Sequence, residues 1–138
     1  MTPPKELFMK INIEKSDLAI KAAKDNIELN NLETAQNRIY YAAFYIVLAL
    51  AYLDDFSTGK HHQLMGWFNR EYIYKNNIFD TKLNKIYQTL FANRQKFDYD
   101  VSENPQKEEV EKDFEDAKFF VQTVKDYILK RLEKEDSE

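Results

Sequence analysis

The sequence contains no cysteine, only two glycines and three prolines, and no long apolar run. The lack of cysteine excludes disulfide bonds, Cys-ligated zinc, iron–sulfur clusters and a thiol nucleophile. Two glycines exclude the glycine-rich loops that bind phosphate in many nucleotide-binding proteins. The longest uncharged stretch, Ile39 to Leu53, has 15 residues, fewer than the roughly 20 that a membrane-spanning helix needs. Because the N-terminus also lacks a signal-peptide pattern, we predict a cytoplasmic protein without membrane contact.

The chain has enough apolar residues for one folded domain. Its 138 residues are 43% hydrophobic, so we expect a single domain over residues 1–138. Within it we expect a core from about residue 5 to residue 133 and a frayed acidic tail. The net charge of −4 disfavours nucleic-acid binding over the whole protein surface. It does not exclude a local basic patch that binds nucleic acid.

The apolar spacing is helical along the whole chain and predicts an all-α protein. We expect long helices over residues 4–29, 32–53, 80–97 and from 104 onward, and a shorter helix over 60–74. Asp80 or Thr81 is suited to cap the fourth helix. The predicted architecture is an up-and-down four-helix bundle with an additional short helix, five helices in all.

The first and last helices each have a predicted apolar face. In the first helix the face consists of Leu7, Ile11, Leu18, Ala22 and Leu29. In the last helix it is a heptad pattern of Val110, Phe114, Ala117, Val121, Val124 and Ile128. Asn104-Pro105 has the residue types of a helix start. The acidic residues between 107 and 116 are interpreted as a solvated face that complements the helix dipole.

Arg94 occupies a position where the helical spacing predicts a leucine. Its face carries residues at steps of four and three: Leu83, Tyr87, Leu90, Arg94 and Phe97. A guanidinium group on such a face must reach solvent, pair with an acid or bind an anion. Asp98 lies four residues further on, and the spacing alone favours an Arg94–Asp98 ion pair.

The second helix has one face with an arginine and three tyrosines, formed by Thr34, Arg38, Tyr41, Tyr45, Leu48 and Tyr52. Tyrosines at such positions usually fill the core and bond their hydroxyls to the backbone, and we expect this of Tyr45 and Tyr52. Arg38 stands at the start of the most apolar helix in the chain. Its charge therefore needs a partner near the edge of the core.

The two histidines, His61 and His62, are adjacent at the start of the third helix. Neighbouring helical side chains point about 100° apart, so this pair is poorly placed to hold one metal ion. We therefore predict no metal site and no cofactor. A single histidine here suits general-base catalysis or a phosphate contact, although a partly exposed residue at a helix start is the simpler interpretation.

Four short motifs resemble signatures of the HEPN-domain family, which comprises small bacterial and archaeal helical proteins. Residues 38–44 resemble its R-x-YYA-x-F motif, and Lys60-x-His62 resembles the Lys-x-His at the start of its short third helix. Residues 94–100 resemble R-x-x-x-D-Y-D, and residues 116–121 resemble D-A-x-x-F-V. The four matches occur in the family's order and cover nearly the whole chain.

The resemblance implies a five-helix bundle that usually forms a homodimer, and it implies one of two functions. Many members are metal-independent ribonucleases, often toxins, whose site at the dimer interface uses an Arg followed a few residues later by a His. Others partner a minimal nucleotidyltransferase, which can transfer AMP to a tyrosine near that motif. On this resemblance Tyr99, five residues after Arg94, is the candidate AMP acceptor.

The sequence departs from the ribonuclease pattern, because Arg94 is followed by Asp98, Tyr99 and Asp100 rather than by a histidine. In that chemistry the histidine assists proton transfer at the ribose 2′-OH or the leaving oxygen, and the arginine stabilises the phosphorane charge. Asp98 as a carboxylate would repel the phosphate. His62 would substitute only if the fold brings it near Arg94.

Three hypotheses follow. The favoured one is a nucleotide- or RNA-phosphate-binding component of a toxin–antitoxin-like pair with a minimal nucleotidyltransferase, whose binding residues are Arg38, Tyr41, Lys60 and Arg94. The second is a metal-independent endoribonuclease toxin, whose catalytic residues are Arg94, Asp98 and His62. The third is a non-catalytic dimerisation module in which Arg94 and Asp98 form an internal ion pair.

Overall fold

The residues that the structure describes form five α-helices, and the second of them lies at the centre. The computed structural model describes residues 2–99 and 104–136, except the side chain of Tyr99. The helices are α1 (Pro3–Glu28), α2 (Leu32–Leu53), α3 (His61–Phe68), α4 (Thr81–Tyr99) and α5 (Lys107–Asp136). The prediction of an all-α bundle of four long helices and one short helix is confirmed. Within the described ranges, no residue lies in a β-strand.

Helix α2 contacts all four other helices and supplies much of the core. Its bounds are those predicted from the sequence. It runs antiparallel to α1, because Phe8 stacks on Tyr52 while Ser16 bonds to Ala42. Positive φ angles follow the ends of both helices, 61° at Asn30 and 59° at Asp55, and residues of these two types adopt that conformation more readily than most.

The buried face of α1 differs from the predicted one. Four of the predicted core residues are exposed, namely Leu7, Ile11, Leu18 and Leu29. The buried residues are smaller or more polar: Met9, Asn12, Ser16, Ala19, Ala23 and Ile27. Small side chains let the two backbones approach closely, and the Ser16 hydroxyl donates to the Ala42 carbonyl at 2.7 Å. Close helix packing therefore selects this face, and the larger apolar side chains remain outside.

The short helix α3 continues directly into a π-helical segment, Asn69–Lys75. Together they cover nearly the range predicted for one short helix, but the wider π-helical winding of the second part was not predicted.

At the start of α4, Asp80 Oδ1 accepts the Lys82 N–H at 2.8 Å, which is the predicted cap. In the part of the chain that the structure describes, no helix has the length and apolar character needed to cross a membrane.

Helix α5 presents its predicted face to the core, since all six residues of the heptad pattern are buried. It begins at Lys107 rather than at Asn104-Pro105, because the Gln106 carbonyl accepts the first helical bond from the Val110 N–H at 3.0 Å. It extends to Asp136, beyond the expected edge of the core. Asp113 is an exception to the predicted solvated acidic face, because only 4% of its surface is exposed.

Candidate functional site

Two arginines from different helices meet at one tyrosine ring. The guanidinium carbon of Arg38, on α2, lies 4.9 Å from the centroid of the Tyr41 ring. That of Arg94, on α4, lies 5.1 Å from the same centroid and 5.2 Å from the centroid of Tyr40. The two guanidinium carbons are therefore at most about 10 Å apart. The unusual faces that the sequence shows on α2 and α4 come together here.

Each arginine is held by a polar neighbour on its own helix. Arg94 Nε donates to Asp98 Oδ2 at 3.1 Å, which is the ion pair that the spacing favoured. Arg38 donates from Nε and Nη2 to Asn37 Oδ1 at 3.2 and 2.9 Å. Because Asn37 is uncharged, it orients Arg38 without neutralising it. The site therefore carries two cationic groups and one paired carboxylate.

His61 is the histidine that the fold places near Arg94. Its Nδ1 lies 2.6 Å from the hydroxyl oxygen of Tyr40. Its ring stacks on Phe44 with the centroids 4.3 Å apart, and its centroid is 5.8 Å from that of Tyr41. The imidazole is half-buried in this aromatic cluster. It therefore belongs to the same centre as Arg94, although it comes from α3.

The pKa shifts of Tyr40 and His61 both favour the neutral form of the side chain. Burial raises the pKa of Tyr40 above its usual value of 10, against the opposing effect of the Arg94 charge. Burial lowers the pKa of His61 below its usual 6.5, and the charges of Arg94 and His62 lower that pKa further. Within the described residues, no other acceptor is recorded for the Tyr40 hydroxyl. With no competing acceptor among these residues, we assign the Tyr40 O–H as the donor to an unprotonated Nδ1, which places the imidazole proton on Nε2.

Two further predicted site residues, His62 and Lys60, lie at or next to the start of α3. His62 is exposed and packs edge-on against Phe91 of α4, with ring centroids 4.7 Å apart. Lys60 is exposed directly before α3. Tyr99 is the last residue of α4, and its side chain lies outside the described residues. The centre itself joins four predicted residues: Arg38, Tyr41, Arg94 and Asp98.

The predicted site omits His61 and Tyr40, although the helical period contains a signal for the histidine. His61 precedes Leu64 by three residues and Phe68 by seven, and both of those residues are fully buried. Helical residues at these spacings share a face, so His61 lies on the buried side of α3 and His62 does not. No comparable signal distinguishes Tyr40 from Tyr41, since only the fold shows which of them faces α3.

Comparison with known proteins identifies the family. The HEPN-domain family model matches residues 9–127. A Methanocaldococcus jannaschii protein named "Putative toxin MJ0142" is 29% identical over 119 residues, which cover 86% of this chain and 80% of that protein. A Thermotoga maritima protein named "UPF0332 protein" is 39% identical over 77 residues, which cover 56% of this chain and 58% of that protein. Since the family model spans most of the chain and includes both arginines of the site, the protein belongs to the HEPN-domain family.

Proposed function

We propose that this HEPN-family protein binds the phosphate group of a nucleotide or of RNA between Arg38 and Arg94. In this proposal it is one component of a toxin–antitoxin-like pair with a minimal nucleotidyltransferase. The observation that carries the proposal is the meeting of two guanidinium groups at the Tyr41 ring. A guanidinium group is planar, permanently charged and able to bond two phosphate oxygens at once, so two converging groups suit a phosphate.

The charge balance at the site favours an anion. Two unit positive charges at most about 10 Å apart repel by at least about 0.4 kcal/mol in bulk water and at least about 1.7 kcal/mol at an effective dielectric constant of 20. Asp98 neutralises the charge of Arg94 but not that of Arg38. A phosphate between the arginines would replace the repulsion with charge-assisted hydrogen bonds from both groups. The net charge of −4 does not oppose this, because binding depends on the local charge.

His61 fits phosphate binding better than proton abstraction. With Tyr40 donating to Nδ1, the proton on Nε2 is available as a hydrogen bond to a phosphate oxygen. The same proton prevents Nε2 from acting as a general base. Lys60, one residue before His61, adds a flexible ammonium group that suits a second phosphate contact. These four groups, from Arg38, Arg94, His61 and Lys60, are all hydrogen-bond donors.

The wider assignment to a two-protein system has its own support. The relative from M. jannaschii carries a toxin name. The motif at residues 94–100 resembles that of family members that partner a minimal nucleotidyltransferase. Tyr99 is the proposed AMP acceptor, because it follows Asp98, whose carboxylate is bound by Arg94.

After co-expression with a minimal nucleotidyltransferase, the intact mass should increase by one AMP, and Tyr99→Phe should abolish the increase. An unchanged wild-type mass beside an active partner enzyme would contradict this assignment.

We also propose that two copies associate through the tyrosine face, which we define as Tyr41, Tyr45, Leu48 and Tyr52 of α2 together with Phe8 of α1. The four α2 residues are only half-buried, and Phe8, which stacks on Tyr52 at 5.4 Å, is exposed. This differs from the expected core position of Tyr45 and Tyr52. Tyr41 belongs both to this face and to the arginine site. A second copy on the face would therefore bring the two phosphate sites together and cover the exposed rings.

A second candidate function, a metal-independent endoribonuclease, is favoured by the histidine beside Arg94. In that reaction Arg94 would stabilise the phosphorane charge, and Asp98, His61 or His62 would move the proton. His61 could act as the base at Nε2 only in the other tautomer, in which Nδ1–H donates to Tyr40. Metal-independent cleavage of RNA in the presence of a chelator, lost in Arg94→Ala, would establish this function. Absence of cleavage by a folded wild-type protein would exclude it.

Phosphate binding is tested with two probes, AMP and a short fluorescein-labelled single-stranded RNA. Arg38→Ala and Arg94→Ala should each weaken binding about tenfold or more, which corresponds to about 1.4 kcal/mol. Arg70→Ala is the matched control, because Arg70 is exposed on the π-helical segment. Binding of AMP alone, or of RNA alone, distinguishes the two phosphate sources. If neither probe binds, or if both arginine variants bind like the wild type, the non-catalytic dimerisation module becomes the better account.

A further inference from the structure

A buried carboxylate on α5 joins the two helices that carry the arginines. Oδ2 of Asp113 accepts a hydrogen bond from Gln36 Nε2 of α2 at 2.9 Å. The same oxygen accepts a hydrogen bond from Asn93 Nδ2 of α4 at 2.7 Å. In the described part of the chain, no ion pair is recorded for Asp113. One oxygen atom is therefore the common contact of three helices.

The two amide donors lie next to the phosphate site in the sequence and along their helices. Gln36 precedes Arg38 by two residues, which is about 3 Å along the axis of α2. Asn93 directly precedes Arg94, about 1.5 Å away along the axis of α4. A bond that fixes Gln36 and Asn93 to one atom therefore fixes the axial positions of the two arginine-bearing turns relative to each other.

The contact of the Asp113 carboxylate with the two amides contributes less to stability than apolar packing would. Burial raises the pKa of Asp113, and the hydrogen bonds from Asn93 and Gln36 together with the charge of Lys112 only partly oppose that effect. Gln36 Oε1 is also buried and has no hydrogen-bond partner among the residues that the structure describes. A buried carboxylate without an ion pair among the described residues, and a buried acceptor without a hydrogen bond there, both lower stability relative to apolar side chains of similar size. A structural role would be served better by an apolar contact.

We propose that Asp113 is a positioning residue, which sets the separation of Arg38 and Arg94 so that one phosphate contacts both; the inference rests on the proposed phosphate site. Asp113 itself does not touch the ligand. The carboxylate is suited to this task because it can only accept hydrogen bonds, so both amides must orient their N–H groups towards it. An apolar residue would leave these two donors unpaired and the two turns unlinked.

The test measures binding of the fluorescein-labelled single-stranded RNA and of AMP to the full chain. Asp113→Ala should weaken binding of the ligand about tenfold or more, as loss of outer supporting residues does at other sites. Asp113→Asn keeps an acceptor oxygen for both amides and should bind within about twofold of the wild type. Asn93→Ala removes a single bond and provides a milder variant if Asp113→Ala does not fold. Val124→Ala, also buried on α5, controls for a general loss of stability.

A double-mutant cycle separates positioning from a general structural effect. In the wild type, one phosphate shared by both arginines should make the effects of Arg38→Ala and Arg94→Ala on binding depend on each other. In Asp113→Ala, or in Asn93→Ala, this dependence should disappear. The inference is wrong, and the phosphate site stands, if the arginine variants lose binding while the Asp113 and Asn93 variants keep the wild-type affinity for the ligand. In that case the effects of Arg38→Ala and Arg94→Ala would also still depend on each other in the Asp113 and Asn93 variants. If the arginine variants lose nothing, the phosphate site itself is wrong.

Discussion

The hydroxyl of Tyr40 and the Nδ1 atom of His61 lie 2.6 Å apart and tie the centre of α2 to the start of α3. The direction of this hydrogen bond and the tautomer of the imidazole depend on each other. With Nδ1 as the acceptor, the ring presents an N–H to a ligand, and with Nδ1 as the donor it presents a base. Phosphate binding thus needs a proton on Nε2, whereas ribonuclease chemistry with His61 as the base needs Nε2 without a proton.

The first prediction concerns the pKa of His61, which should lie below 6.5 because of burial and the nearby positive charges. Arg94→Gln should raise this pKa by removing one of those charges, while Arg70→Gln should leave it unchanged. The neutral imidazole favours the folded state, so the free energy of unfolding should fall as the pH drops below 6.5. NMR titration of the imidazole signals measures the pKa. A His61 pKa that Arg94→Gln leaves unchanged would contradict the proximity of the two groups.

The second prediction concerns Asp98, which competes with an incoming anion for Arg94. Asp98→Asn should strengthen AMP and RNA binding several-fold, because the carboxylate no longer neutralises the guanidinium group. Its effect on the free energy of unfolding should stay within about 1 kcal/mol, as is usual for surface ion pairs. Calorimetric titration and chemical denaturation measure the two quantities. A loss of stability with unchanged binding would instead support a purely structural ion pair.

The third prediction concerns the pH dependence caused by Asp113. Its raised pKa means that the folded state binds the proton more tightly than the unfolded state. The contribution to stability is therefore complete below the usual value of 3.8 and is lost as the pH rises through the folded pKa. Asp113→Asn should remove this loss and be at least as stable as the wild type at pH 7. Asp113→Ala should lower the free energy of unfolding by about 1–3 kcal/mol by leaving two amides unpaired.

Denaturation at a series of pH values tests this third prediction. The charges of Lys112 and Asp116 also affect the pKa of the Asp113 carboxyl. Lys112→Gln and Asp116→Asn therefore serve as controls for the share of the pH dependence that these neighbours cause. Parallel stability curves for the wild type and Asp113→Asn would show that the carboxyl does not titrate abnormally.

The fourth prediction concerns a polar cluster at the other end of α2. Arg131 of α5 donates to Asp54 Oδ1 at 2.7 Å and to the Tyr72 hydroxyl at 2.9 Å. Tyr72, on the π-helical segment, donates its own hydroxyl to the other Asp54 oxygen. Arg131→Ala should lower the free energy of unfolding by about 1–3 kcal/mol, because it leaves these partners unsatisfied. Since the cluster is separate from the phosphate site, RNA binding by the folded variant should remain unchanged.

The fifth prediction concerns the tyrosine face. Phe8→Glu places a charge beside Tyr52 and should shift a wild-type dimer to a monomer in analytical ultracentrifugation. Phe119→Glu is a matched control, because Phe119 of α5 is 47% exposed and Phe8 is 46% exposed. A wild-type monomer, or a dimer that only Phe119→Glu disrupts, would show that the tyrosine face is not the interface.

Much of the fold is predictable from the sequence because the apolar spacing on α2 and α5 is regular. The prediction is wrong for α1, where the small residues Ser16, Ala19 and Ala23 are buried and the larger residue Leu18 remains exposed. A spacing rule ranks side chains by size and apolarity, whereas close packing of two backbones depends on small side chains. The start of α5 differs for a local reason, since the first helical hydrogen bond reaches back to Gln106 and not further.

The candidate site was predictable in part. Arg38 and Arg94 were identifiable because each places a charge on an otherwise apolar helix face. Their meeting at Tyr41 depends on how α2 packs against α4, which the sequence does not reveal. The contacts of His61 with Tyr40 and of Asp113 with Gln36 and Asn93 join residues that are far apart in the chain. Each is a specific hydrogen bond, and no periodic pattern identifies which polar side chains will be paired.

The central claim is that one phosphate lies between Arg38 and Arg94, and NMR of the arginine side chains tests it most directly. The Nε–Hε signals of the 15N-labelled protein are followed while AMP is added. The account predicts that the signals of Arg38 and Arg94 shift together along one saturation curve, while that of Arg70 does not move. If neither AMP at millimolar concentration nor the single-stranded RNA shifts the signals of Arg38 and Arg94, or if all arginines shift alike without saturation, the proposed phosphate site is wrong.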